Sequence, residues 1–256
     1  MRSYVSNLDE GDLPYALFCV AGGTEHELGV FADIAAETPR ICMDKNYLTS
    51  VHIAQAVWKR WTAASQCEDT LRPDERHLVF TASTAALIAL PGYDAYAPTK
   101  AALRSLADTL RQEALLHLPT TRIQVHCSFP GTIYTDSFYR EQQRKPDLLK
   151  RMEGSAEDTG GMTAYVVARA IIQGLDRGDF FMPADFQTRL LLSNMSGPSP
   201  RETLMTDGVL GFVMLLLWPI VRWHFDALVR REGARRVSIS KQQMLERRTR
   251  NGLQDP

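Results

Sequence analysis

The sequence predicts an α/β fold built on a doubly wound parallel sheet. Three short apolar runs rich in strand formers carry that expectation: Tyr15 to Val20, His77 to Ala82 and Arg122 to Phe129. Stretches with helical spacing lie between them, and each run stops at small or turn-forming residues, Ala21-Gly22-Gly23, Ser83 and Pro130-Gly131. Strands separated by helix-length connections pair in parallel, and such crossovers place helices on both faces of one sheet.

Each element has its own reason. Tyr15 to Val20 (YALFCV) is apolar throughout, as a strand covered on both faces should be. From Pro39 to Ala64, residues Ile41, Leu48, Val51, Ala54, Val57, Trp58 and Trp61 recur on one helical side. Gln66 to Arg76 is polar and contains Pro73, so it reads as a surface loop. Tyr96 to His117 is a long run of helix formers with Pro98 near its start, where proline is tolerated. Thr163 to Leu175 is a further helix and Asp179 to Met182 a last strand.

Composition narrows the classes of function. The 256 residues are 45% hydrophobic and 23% charged, ordinary globular usage, and the formal charge of -1 offers no field to attract nucleic acid. The four cysteines are scattered, and the six histidines form no ligand pattern, so no metal site is expected. His77, His117 and His126 are expected at strand edges or on the surface, and a reducing compartment suits the thiols. Met1 to Pro14 lacks the apolar core of a signal peptide.

The other end differs. Gly208 to Val221 (GVLGFVMLLLWPIV) carries no charge but is shorter than the roughly 20 residues of a spanning helix. An amphipathic or re-entrant segment at the bilayer surface suits it, with Trp218 and Trp223 at headgroup depth; the alternative is a buried core helix. The arginines from Arg230 to Arg250 form either a solvated face or a contact for anionic headgroups. The chain therefore divides into a polar segment at 1–14, an α/β domain at 15–200, an apolar segment at 201–229 and a basic tail at 230–256.

The chemistry-bearing pattern is Tyr96-Ala97-Pro98-Thr99-Lys100. Residues four apart share a helix face, so the Lys100 ammonium can approach the Tyr96 phenol and favour its ionised form. Ser83 closes the preceding strand, and its hydroxyl can hold a carbonyl oxygen while the phenol donates a proton. Asn46 lies in the helix before that strand, and Pro130-Gly131-Thr132-Ile133-Tyr134-Thr135 follows the third.

The run TASTAALIALPGYDAYAPTKAALRSLADTLRQE, with CVAGG, MDKNY and CSFPGTIYT, resembles the short-chain dehydrogenase/reductase family from about Tyr15 to Phe181. The resemblance implies a Rossmann-like sheet with Tyr96 as general acid, Lys100 lowering its pKa and binding the nicotinamide ribose, and Ser83 holding the carbonyl oxygen. It implies that Asn46 anchors a water that relays protons to Lys100. Ala21 and Gly22 match the end of the family's turn beside the cofactor, with Cys19 and Val20 standing where two asparagines are usual. Pro130, Gly131, Ile133 and Thr135 match the segment that grips the nicotinamide. The pattern is most similar to fungal-type members that reduce a long-chain ketone of sphingolipid biosynthesis with NADPH, at the cytosolic face of the endoplasmic reticulum membrane. The substrate implied is a lipid-like ketone, and the helices at Asn46 to Ala64 and Tyr96 to His117 are those that build dimers in the family, implying a homo-oligomer.

One departure stands out. The family opens with a strand and a Gly-x-x-x-Gly-x-Gly turn that seats the pyrophosphate on a helix N-terminus, and nothing before Tyr15 resembles it. By that comparison the chain is N-terminally truncated, without the adenosine half of the site, and the Tyr15 strand becomes an apolar open edge. Two other readings stay open: a reductase of another apolar carbonyl, such as a steroid or fatty ketone, and a non-catalytic member that binds a partner through its helices.

Overall fold

A computed structural model describes residues 12–24, 27–64, 74–118, 121–153 and 160–252. Cys67 and most of the loop expected at Gln66 to Arg76 lie outside the described residues. Strand β1 (Ala16–Cys19) leads to helix α1 (Thr38–Met43), a π-helical turn at Asp44–Leu48 and helix α2 (Thr49–Ala64). Strand β2 (Asp74–Thr81), helix α3 (Tyr96–Glu113) and strand β3 (Thr121–Phe129) follow. Next come β4 (Ile133–Tyr134), α4 (Asp136–Arg144), α5 (Asp147–Glu153), β5 (Met162–Thr163), α6 (Ala164–Arg177), β6 (Phe181–Pro183), α7 (Phe186–Met195) and α8 (Leu204–Gly252).

The main sheet is four-stranded, all parallel, in the order β1-β2-β3-β6. Side chains alternate across it, as the pleat requires. Leu78 and Phe80 of β2 join Ala54, Val57 and Trp61 of α2 and Leu103 and Ala107 of α3 in the larger core. Val79 between them joins Val167 and Ile171 of α6 on the other face. The fold is therefore doubly wound. The connection into β2 is shorter than its polarity suggests, because Asp74 to Arg76 pair with Thr121 to Ile123 of β3 and extend the strand. The Trp61 indole donates to the Pro14 carbonyl at 2.9 Å, fixing the approach to β1.

Strand β1 forms one edge of the sheet, and Tyr15, Phe18 and Val20 are exposed along it. At the other end of the chain the structure rules out the buried core helix and the re-entrant form. Gly208 to Val221 is part of one continuous, largely exposed helix through Pro219. From Leu204 to Met244 that helix is long and apolar enough to cross a membrane, and its most apolar window is only 6% buried. Its start packs on α7, where Gly211 lies so close to the Ser193 carbonyl that a Cβ would sit 3.0 Å from it. Further along, buried Glu232 pairs with Arg151 of α5.

The histidines also require correction. His77 and His126 are buried in the sheet interior and stack on one another with ring centroids 5.3 Å apart. The His126 Nδ1 lies 2.7 Å from the Asp179 carbonyl, which can only accept, so that nitrogen carries a proton. With neutral rings, His126 Nε2 then accepts from His77 Nδ1 at 3.1 Å, and His77 Nε2 accepts from the Tyr15 hydroxyl at 2.8 Å. A proton added at His77 Nε2 turns that nitrogen from acceptor to donor and reverses its bond to the Tyr15 hydroxyl. Burial, opposed by nearby Glu75 for His77 and by the Asp179 carbonyl for His126, lowers both pKa values below their ordinary 6.5.

The unfolded chain therefore binds more protons than the folded one just below pH 6.5, and stability falls as pH drops through that value toward the lowered pKa values. Denaturant unfolding across this range is expected to show that slope, and the double variant His77→Gln/His126→Gln to lose most of it. An undiminished slope in the double variant would contradict the assignment.

Candidate active site

Parallel strands present their C-terminal ends on one side, where ligands of such sheets bind. Here Val20 and Gly22 beyond β1, Ser83 beyond β2, and Pro130 and Gly131 beyond β3 line one cavity of about 270 Å³. That lies near the lower limit of small-molecule sites, about 300–1,000 Å³, so it suits the reacting ends of two ligands rather than either ligand whole.

Tyr96 and Lys100 enter the cavity from the first turn of α3. Lys100 is buried, with 4% of its surface exposed, and its Nζ donates to the Thr81 carbonyl at the end of β2 at 3.0 Å. The same ammonium lies 5.6 Å from the centre of the Tyr96 ring. Burial pulls the Lys100 pKa down to about 8. Burial also raises the pKa of the Tyr96 phenol, while contact with the Ser83 hydroxyl opposes the rise. The phenol is therefore protonated at neutral pH, the form needed to donate. Ser83 caps a short 3-10 turn, with its oxygen accepting from the Ala85 N–H at 3.2 Å. Its own hydrogen is directed to the Tyr96 oxygen.

Asn46 is wholly buried in the π-helical turn. That wider turn, closed by the Thr49 N–H on the Asp44 carbonyl, turns Asn46 toward the loop after β1. Its side-chain oxygen accepts from the Gly23 N–H at 2.7 Å, and its nitrogen donates to the Gly23 and Cys42 carbonyls, each at 3.1 Å. Gly22 has φ +142, and a Cβ there would sit 2.6 Å from the Asn46 oxygen and 3.5 Å from Lys100 Nζ. Only glycine fits between these two side chains. Asn46 thus acts from behind the cavity wall, through the loop it holds.

The opposite wall was not foreseen from the sequence. Tyr93 precedes the α3 helix, Phe138 and Glu141 come from α4, Lys145 from its end, and Glu153 from α5. The Tyr93 hydroxyl donates to Glu141 at 3.2 Å, and Lys145 pairs with Glu141 at 2.9 Å and with Glu153 at 2.5 Å. The pair four apart on α4, Glu141 and Lys145, was the visible signal, but that spacing is also ordinary on solvated helices.

Of the residues expected at the site, Ser83, Tyr96, Lys100, Gly22, Pro130, Gly131, Ile133 and Thr135 line the cavity. Ala21 is exposed and stands outside its lining. The Pro130 carbonyl accepts from the Thr84 N–H at 3.1 Å, tying the Pro-Gly segment to the Ser83 turn. Thr135 caps α4, accepting from the Phe138 N–H at 3.2 Å. A flat nicotinamide ring fits a wall of this kind, because Gly22 keeps clear the space beside Lys100 that a Cβ would enter. Among the described residues no glycine-rich turn accompanies these to seat a pyrophosphate.

The model of the family described as short chain dehydrogenase matches residues 15–146. The chain is 36% identical to a 3-ketodihydrosphingosine reductase of Neurospora crassa over 81% of its own length and 56% of the relative's. It is 33% identical to a 3-ketodihydrosphingosine reductase of Aspergillus fumigatus over 84% of its length and 60% of the relative's. The chain thus spans less than two thirds of the curated relatives it matches. Among solved structures, a short-chain dehydrogenase from Sphingobium yanoikuyae in complex with NADPH superposes with a TM-score of 0.57 at 17% identity, covering 84% of this chain and 68% of that one.

Replacing Asn46 with alanine strands the Gly23 N–H, which is expected to cost about 1–3 kcal/mol. Amide exchange at Gly23 should accelerate accordingly. Unchanged exchange there would show that Asn46 does not hold the loop.

Proposed function

Because the chain belongs to the short-chain dehydrogenase family, we propose that it reduces a long-chain ketone, 3-ketodihydrosphingosine, to dihydrosphingosine with NADPH in sphingolipid biosynthesis. The observation that carries this reading is the buried Lys100 ammonium beside the Tyr96 phenol, with Ser83 against the same hydroxyl in a cavity at the strand ends. The choice of substrate rests on the names of the relatives and is supported by α8. A cleft beside that helix shares Leu90 with the cavity and sets Pro91, Met152, Phe225 and Val229 among Asp94, Arg222, Asp226 and Arg230. It offers an alkyl chain a path from the reacting carbonyl toward the apolar helix. Attachment at the cytosolic face of the endoplasmic reticulum membrane follows the same reasoning, with the exposed apolar surface of α8 as the anchor.

NADPH, when bound, supplies the hydride for the carbonyl carbon. Gly22, Pro130, Gly131, Ile133 and Thr135 are the residues proposed to hold its nicotinamide end, with Ala21 at the margin, and Lys100 to bind the ribose. Ser83 turns its hydrogen from Tyr96 to the carbonyl oxygen and orients that oxygen toward Tyr96. Tyr96 gives that oxygen its proton, and the Lys100 ammonium stabilises the phenolate left behind. Asn46 holds the loop beside Lys100 and anchors the water through which the proton is replaced.

Removal of the phenolic proton by Tyr96→Phe is expected to lower kcat by about 10²–10⁴-fold with little change in cofactor affinity. Turnover should fall as pH rises through about 8, where Lys100 loses its charge. Initial rates of NADPH oxidation with the long-chain ketone test both. A fully active Tyr96→Phe variant, or no oxidation by the parent chain, would overturn the proposal.

A further inference from the structure

The basic end of α8 carries a spacing that the reductase reading leaves unused. Arg235-Arg236-Val237-Ser238-Ile239 sets two guanidiniums three and two residues ahead of a serine, with an apolar residue directly after it. A protein kinase whose substrate groove is lined with carboxylates recognises that order, because the seated cations bring the hydroxyl to the phosphates of ATP. Spacing alone is weak, since two cations precede a hydroxyl at those distances twice in this chain. The structure separates the two. Lys59 and Arg60 precede Thr62 in α2, where Trp61 is buried and the Thr62 hydroxyl donates to the Trp58 carbonyl at 3.1 Å. That segment is built into the core and cannot be lifted into a groove.

Ser238 stands in the opposite situation. Every residue from Gly233 to Ser240 is exposed. Among the described residues, the last ion pairs that tie α8 to the rest of the domain are Arg235 with Asp147 at 4.0 Å and Arg236 with Asp33 at 3.9 Å. Both guanidinium side chains keep about half of their surface in water, so these pairs do not withhold them from another partner. Gly233 lies just before them, with nothing within 4 Å of the place a Cβ would take. A glycine that no packing requires weakens an exposed helix. The arm beyond it can therefore open into the extended form that a kinase binds.

We infer that Ser238 is a phosphorylation site for a kinase of this basic-directed class, and that the phosphate loosens α8 from α5. In the transfer, the Ser238 Oγ bonds the γ-phosphorus of ATP as the bond from that phosphorus to the β,γ-bridging oxygen breaks. ADP leaves, and the hydroxyl proton passes to the kinase's catalytic carboxylate. The serine then carries a charge of about −1.5 to −2. Arg235 and Lys241 each lie three residues from Ser238, on its side of the helix. A phosphate within that reach takes a guanidinium by two hydrogen bonds. Asp147 is the weaker rival, 4.0 Å from Arg235 and itself 70% exposed. Once Arg235 turns away, Arg151 with Glu232 remains as the one described ion pair between α5 and α8. Because α5 carries Glu153 of the cavity wall, the modification reaches the site through that helix. The inference does not depend on which ketone the site reduces.

The test is incubation of the purified chain with ATP and the catalytic subunit of cyclic-AMP-dependent protein kinase, followed by mass spectrometry to place the phosphate. Phosphate is expected at Ser238, with none at that segment in Ser238→Ala and undiminished incorporation in Ser240→Ala. Both substitutions put a strong helix former at an exposed position, so neither threatens the fold. No incorporation at Ser238, or incorporation there only after the chain is denatured, would overturn the site. Hydrogen exchange then reads the loosening. Amides of Asp147–Glu153 should exchange about two- to fivefold faster in the phosphorylated chain than in the same chain kept without ATP, as loss of a surface ion pair allows. Equal exchange in the two would overturn the proposed link from Ser238 to α5.

Discussion

The burial of one ammonium group organises this molecule. Lys100 reaches from α3 to the last carbonyl of β2, and the space around it exists only because Gly22 lacks a side chain and Asn46 holds the next residue back. A lysine deprived of water on these terms gives up its proton near pH 8 rather than at its ordinary 10.5. That brings its charge within reach of a physiological signal and places it under a phenol whose own burial keeps it protonated. The parallel sheet supplies the geometry, because β1, β2 and β3 end together and deliver a bare loop, a hydroxyl and a Pro-Gly turn to one place.

A second set of buried charges answers the first across the cavity. Lys100 is held by a neutral carbonyl, whereas Lys145 is held by two carboxylates. The wall that carries Glu153 is continuous, through Arg151 and Glu232, with the long apolar helix. Outward from Tyr96, that charged cluster is followed by Leu90, shared with a cleft at Phe225, and by the exposed apolar surface of the long helix.

Much of this was legible in the residues. The apolar runs of β1, β2 and β3 and the turn residues closing them carry the sheet, and the Tyr96–Lys100 spacing with Ser83 carries the reacting groups. Position along the chain could not show that Asn46 faces the Gly23 backbone, because a π-helical turn changes which way a side chain points. Nor could it show that His77 and His126 are interior, since their partners, Tyr15 and the Asp179 carbonyl, are distant in sequence and meet only through strand pairing. The Glu141–Lys145–Glu153 cluster escaped for the same reason: on its own helix each residue looks like ordinary solvated charge. That the apolar segment is one unbroken helix with the basic residues beyond Val221 could not be read from the run, because Pro219 ordinarily interrupts a helix.

The state of Lys100 is the claim on which the rest turns, and it can be measured without substrate or cofactor. NMR titration of the Lys100 side chain, assigned by comparison with Lys100→Arg, is predicted to show an ammonium that loses its proton near pH 8. A value at the ordinary 10.5 would mean that the side chain lies in water, and would contradict both the buried geometry and the chemistry derived from it.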